Sequence, residues 1–517
     1  MVTQQIDTIL VNARLIDATA PDGRLPDDAI AISNGHIVAV GSGTELLTMR
    51  GNATKIVDLG GAFLMPGLVD GHAHPVSGND WQVGVDLAGV REPEEFLARI
   101  RAEATRSPAG AWVRGHSLDP IAYAGIAHVA DAIEEAVGGR PASFTIFDYH
   151  GLAVSRSALA LAGITGPRTF SGASVIVCDD TGRPTGVLLE PEAMALVRDL
   201  IPVPSFAERA ASLRQTLNRM AASGLTGIHV MDANNRSLEL FAALEAESDL
   251  PLRLHAAPWV NPGATQSDID EVLAQQSLHG RHWRVFAAKF FIDGTIDGGT
   301  GWLHEPDANG EGLAALWPDH AAYQHAIRFF AERRVQTITH AIGDRAVRFV
   351  LDTLKDVPEQ VRRAARHRIE HIETLPDADI GRFATEGVIP SMQPSHAVRY
   401  TRADHSDNWS SRIGTLRANR AWRCQDIIST GAPLVMGSDW PIAPFDPREI
   451  LVCARFRHLA EQSVAEAIQP AQALTGLQAL AGLTSLAAFA VHEEAISGAL
   501  RPGMRADLTA MLVDPIG

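Results

Sequence analysis

Cysteine is scarce in this sequence. The 517 residues hold three, Cys178, Cys424 and Cys453, far apart and never in a CxxC pair. That spacing excludes a disulfide framework and a thiolate zinc site. Positive charge is also short. Lysine and arginine number 44 against 61 acidic residues, a formal net charge of −17, so nucleic acid and anionic membranes are poor partners. No apolar run reaches the roughly 18 residues a membrane span needs. The start, MVTQQIDTILVNARLIDA, has no basic residues leading into an apolar stretch. The expectation is a cytoplasmic, soluble protein. Solenoid-length repeats and low-complexity segments are lacking too.

What is present alternates. The first 65 residues carry short β-branched runs broken by Asn-Gly and Gly-Gly, and the stretch GALRPGMRADLTAMLVDP near the other end reads the same way. The expectation is a small β-sandwich domain built from both termini, residues 1–65 and 488–517. Between them, apolar strand-like runs alternate with amphipathic helices. The runs are AFLMPGLVDGHAH, LTGIHVM, RLHAAPWV, FAAKFFIDG, QTITHAIGD, RHRIEHIE, GVIPSMQP and PLVMGSDW, eight in all. Eight βα units in series predict a closed parallel (β/α)8 barrel over residues 66–487, an α/β fold. An open doubly wound sheet is the alternative, but no GxGxxG follows the first run. Residues 76–205 are far too long for one βα connection and carry strands and helices of their own. They are expected to form an inserted subdomain over the barrel mouth.

The chemistry begins at His72-Ala-His74, closing the first strand. Alternate residues of a strand point the same way, so both imidazoles can reach one metal ion. With 20 histidines in the chain, one HxH pair is expected by chance, so position must carry the argument. Position does. Lys289, His340, His371 and Asp439 sit at or near the C-terminal ends of later strands, the face where barrel enzymes place their active sites. Weaker candidates for substrate contact are His150, Glu190, Asp293 and Trp302. Trp112 and Trp440 fit an apolar pocket or plain packing. His116, His229, His255 and His396 read as supporting or core histidines. Residues 395–409 are polar and suggest a lid or a partner contact; Arg399, Arg402 and Arg412 either meet a carboxylate on the substrate or, the favoured reading, are simply solvated.

The motif FLMPGLVDGHAHP, the later lysine, the two single-histidine strands and the final aspartate resemble the amidohydrolase superfamily. WVRG, DYHGLAVSRSALALAGI, PTGVLLE, KFFIDGTIDGGTG, HAIGDRAV, RIEHIE and GSDWP are similar to the branch that holds N-substituted formamide deformylases, amidohydrolase family 3. The resemblance covers nearly the whole chain. It implies a metal-dependent hydrolase of a carbon–nitrogen bond in a small organic molecule: an amide, an N-substituted formamide or a cyclic amide. It implies His72 and His74 on the more buried metal, His340 and His371 on the second, and Lys289 bridging as a carboxylated lysine. Asp439 would bind metal and carry protons, so Asp439, Lys289 and His340 are the expected catalytic group. Two Zn2+ ions per chain are expected, although other divalent transition metals suit the same ligands. The resemblance also suggests a homodimer. The alternatives are ester or lactone hydrolysis, or decarboxylation, at the same metal site. A different class again is a catalytically inactive binding or regulatory protein. One further alternative leaves Lys289 an ordinary lysine paired with Asp293, with a single metal.

Overall fold

A computed structural model describes residues 5–170 and 172–517. The apolar runs form parallel strands buried on both faces, the environment that parallel strands require. They are β1 (Leu68–Ala73), β2 (Leu225–Val230), β3 (Arg253–Ala256), β4 (Ala287–Phe291), β5 (Gln336–Ala341), β6 (Arg368–His371), β7 (Ile389–Met392) and β8 (Val435–Met436). One sheet runs from the short strand Trp283–Val285, just before β4, through β3 and β2 to β1. The second runs from β4 through β5, β6 and β7 to β8. Every neighbouring pair is parallel. Single parallel bridges join the two sheets at both seams, Trp259 to Lys289 and Ala73 to Trp440.

Register decides which side chains meet. His340 lies level with Phe291, and His371 with Ala341, so the ends of β4, β5 and β6 stand side by side. The β1–β8 seam is closer still. A β-carbon on Gly437 would lie 2.4 Å from the His72 amide nitrogen, and one on Gly71 would lie 2.5 Å from the Met436 carbonyl oxygen. Glycine at both places lets these backbones touch and brings Asp439 against His72.

The helices follow the expected punctuation. Ser205 and Glu208 form a capping box at the start of helix Phe206–Ala222, and Gly224 follows that helix at φ +104°. Both ends of the chain share one small sheet: Leu508–Met511 pairs antiparallel with Phe63–Pro66, which pairs parallel with Arg14–Leu15. The helix Ser485–Ala490 crosses the expected boundary at 488, so that boundary cuts a helix that packs against β1 and β8. Within the expected insertion, a six-stranded sheet spans residues 85–189. Among the described residues no helix is long and apolar enough to cross a membrane.

Candidate metal centre and cavity

At the C-terminal ends of the strands the charged and imidazole side chains converge. His72 is fully buried and His74 is 6% exposed; their Nε2 atoms lie 3.3 Å apart. Asp439 Oδ1 stands 3.2 Å from His72 Nε2 and 3.0 Å from His74 Nε2. These three side chains present ligand atoms that all lie within 4.8 Å of one another. A second group with the same closeness is His371, His396 and, again, Asp439. The His371 ring lies 4.9 Å from that of His72 and 4.5 Å from that of His340. Lys289 is fully buried in the middle of β4, and its Nζ has no hydrogen-bond partner. The structure therefore brings together all six residues expected to hold metal.

It also adds His396, read from sequence as a supporting histidine. The strand β7 had no ligand assigned to it. Pro394 opens a short helix directly after that strand, and His396 on its first turn faces Asp439 Oδ2 at 3.8 Å.

Three of the imidazoles are held at one nitrogen, which leaves the other free to ligate. His72 Nδ1 donates to Glu370 Oε2 at 2.6 Å. His371 Nδ1 lies 2.9 Å from Gln393 Oε1, and His340 Nε2 donates to the Gly294 carbonyl at 3.1 Å. Glu370 is itself clamped by the fully buried Arg368, at 3.0 Å to Oε1 and 3.1 Å to Oε2. Sequence reading passed over both. They lie inside RIEHIE, where strand-forming residues and ligand-orienting residues look alike.

Burial dominates the electrostatics. It pushes His340 and His371 well below the ordinary imidazole range and His74 to about 4. These rings are neutral near pH 7, the form that binds metal. Burial also opposes ionisation of Asp439, but His72, His74 and His371 around it hold the carboxyl well below the ordinary range. Lys289 is brought down to about 8 by burial, against the pull of Glu370 and Asp439. Asp439, His371, Glu190 and Tyr149 all take left-handed backbone conformations, at φ +58°, +72°, +67° and +62°. Such strain persists where the surroundings over-determine it, and functional sites are its usual home.

The centre opens into a cavity of about 820 Å3. His150 lines it, its ring 5.3 Å from that of His340 and its Nδ1 3.0 Å from Glu190 Oε2. Glu190 is fully buried behind it and accepts a hydrogen bond from Thr300 Oγ1 at 2.5 Å. Burial disfavours a proton on His150, yet the adjoining Glu190 and Asp148 carboxylates raise it to about 9.

Two expected substrate contacts are corrected. Asp293 does not line the cavity. Its carboxylate accepts backbone N–H bonds from Ile342 (3.0 Å), Gly343 (2.8 Å) and Trp302 (2.9 Å), clasping the loop after β4 to the loop after β5. Trp302 is 3% exposed and packs against His320, Phe349 and Arg345. Trp440 is buried against Phe445, and Trp112 packs against an apolar cluster that includes Leu152, Val154 and Leu188. His229 and His255 are buried on β2 and β3, against Arg368 and Glu493 respectively. Arg399 and Arg412 are ion-paired, to Glu449 and to Asp307 with Glu311, rather than solvated. Residues 394–398 are buried, and His396, Tyr400 and Trp409 of the polar segment line the cavity.

Residues 55–516 match the Amidohydrolase family. The chain is 27% identical over 98% of its length to Protein LONG AFTER FAR-RED 3 from Arabidopsis thaliana, covering 87% of that protein. It is 23% identical over 99% of its length to an N-substituted formamide deformylase from Arthrobacter pascens, covering 95% of it. Among solved structures, an uncharacterized metal-dependent hydrolase from Pyrococcus horikoshii shares the fold. The TM-score is 0.75, at 20% identity over 98% of both chains.

Proposed function

The chain belongs to the amidohydrolase family of hydrolases that cleave carbon–nitrogen bonds, and from that premise we propose that it hydrolyses an amide or N-substituted formamide of a small molecule with the help of two bound metal ions. The observation that carries this is the pair of ligand groups sharing Asp439, with the unpartnered Lys289 amine buried beside them. In the same reading the two parallel sheets close into the (β/α)8 barrel, residues 76–205 overhang its mouth, and the termini form the β-sandwich.

The donor set fits metal. His72, His74 and Asp439 would hold one ion; His371, with His340 or His396, would hold the second. An ammonium cannot ligate a cation. The Lys289 amine, uncharged in a growing fraction of molecules above pH 8, adds CO2 and releases one proton. The resulting carbamate would offer anionic oxygens to the metal. Imidazole and carboxylate ligands suit Zn2+. Bound metal supplies a water whose pKa is lowered from about 15.7 toward ~7. The protein's own groups do the rest. Asp439 takes the proton of the attacking water and delivers it to the leaving nitrogen. His150, held by Glu190 through Nδ1, turns Nε2 toward a substrate oxygen in the cavity. Glu370, Gln393 and the Gly294 carbonyl keep the imidazoles from turning away.

The test is chelation followed by a substrate panel. Turnover of N-substituted formamides or amides is expected to vanish on metal removal and to return with Zn2+, Mn2+ or Co2+. Turnover that survives complete metal removal overturns the reading. So does an enzyme that cleaves matched esters and lactones but no amide.

A further inference from the structure

Asp439 turns its two oxygens to two pairs of imidazoles. Oδ1 stands 3.2 Å from His72 Nε2 and 3.0 Å from His74 Nε2. Oδ2 stands 3.7 Å from His371 Nδ1 and 3.8 Å from His396 Nε2. The second pair is too far from the carboxylate for hydrogen bonds. Even so, the ligand atoms of His371, His396 and Asp439 all lie within 4.8 Å of one another. Two imidazoles and a carboxylate are the donors a divalent transition metal takes.

The family resemblance puts His340, not His396, on the second ion. The geometry differs. Among the described residues His340 stands in neither ligand group. Its Nε2 is turned to the Gly294 carbonyl at 3.1 Å and to Asp293 Oδ1 at 3.7 Å. Its ring adjoins those of His150 at 5.3 Å and Phe291 at 5.5 Å, along the cavity wall.

His396 is held in place from several sides. Its amide donates to the Gln393 carbonyl at 3.0 Å, closing the first turn after β7. The same Gln393 orients His371 through Oε1 at 2.9 Å, so four consecutive residues serve both rings of the pair. The His396 side chain is buried, its ring nearly parallel to that of His371, with 14° between the planes and 6.2 Å between centroids. Tyr400 meets it edge-on at 6.0 Å. The Ser438 carbonyl, one residue before Asp439, accepts a hydrogen bond from the ring. One nitrogen held by a carbonyl and the other left over is the arrangement that fixes a metal-binding histidine.

We infer that His396 is a ligand of the second metal ion, together with His371 and Asp439, and that His340 stays outside the coordination sphere as part of the cavity wall. The inference rests on the two-metal reading for there being a second ion. It moves one ligand of that ion from β5 to the turn after β7.

The test is equilibrium dialysis of metal-stripped full-length protein against Co2+, with metal per chain counted by elemental analysis, for the wild type, His396→Ala and His340→Ala. The wild type is expected to take up about two ions. His396→Ala is expected to weaken the second ion by more than the ~10–100-fold that loss of an orienting partner costs, and His340→Ala by less than His396→Ala. Folding is checked by thermal melting, and His396→Asn, which keeps a polar side chain there, replaces the alanine variant if that one does not fold. A second ion held as tightly by the folded His396 variant as by the wild type overturns the inference and leaves the proposed function standing. So does a loss on His340→Ala equal to or larger than that on the His396 variant. A wild type that takes up fewer than two ions overturns both.

Discussion

Asp439→Asn is expected to lower the rate of amide hydrolysis by about two to four orders of magnitude while the protein stays folded, the range typical of losing a positioned acid–base group. The aspartate is the one side chain common to both ligand groups, within 3.2 Å of His72 and His74 and 3.7 Å of His371. Asparagine keeps its size and one carbonyl oxygen. It loses the negative charge that the three histidines stabilise and the ability to take a proton from water and pass it on. Because the carboxylate also ligates, the loss is measured together with metal content. A variant that keeps its metal and nearly the full rate contradicts the role given to Asp439.

Arg368→Met is expected to cost about 3–5 kcal/mol of stability, the usual consequence of removing one partner from a buried ion pair. Arg368 is fully buried in the middle of the parallel strands. Its guanidinium reaches Glu370 on its own strand, the Gly71 carbonyl of β1 at 2.9 Å, His229 of β2 at 2.9 Å and Ser391 of β7 at 3.0 Å. Four strands thus hang on one side chain. Despite burial, Glu370 is held down to about 2, first by Arg368 and then by His72 and Lys289. Without the arginine it is a charge in the interior with too little to balance it. The measurement is the denaturation midpoint of Arg368→Met beside Arg368→Met/Glu370→Gln. The double variant, having no stranded carboxylate, is expected to recover part of the loss. A single variant as stable as the wild type contradicts this account of the core.

The ligand strands were legible because their signal is local. A histidine or aspartate at the end of an apolar run, two residues from another, needs no knowledge of the rest of the chain. Hence His72, His74, Lys289, His340, His371 and Asp439 could be picked out as candidates, and the structure gathers their side chains at one end of the strands. Arg368 and Glu370 were missed because charged residues inside a strand give no sign of the interior partners they meet. His396 was undervalued because it lies past its strand, on a helix turn that only the fold aims at Asp439. Asp293 and Trp302 were overvalued for the converse reason. They stand next to a ligand strand in sequence, but backbone amides from a loop fifty residues on capture the carboxylate. The β-rich pattern at both ends was legible because turn chemistry and alternation are local too, and Leu508–Met511 pairs with Phe63–Pro66.

The most direct test of the central claim is elemental analysis of metal per chain, on protein purified without chelator, for the wild type and for Lys289→Ala. The account predicts about two divalent ions in the wild type, falling to one or fewer when the bridging amine is gone. A wild type that binds no metal even after reconstitution, or a count unchanged by Lys289→Ala, would contradict it.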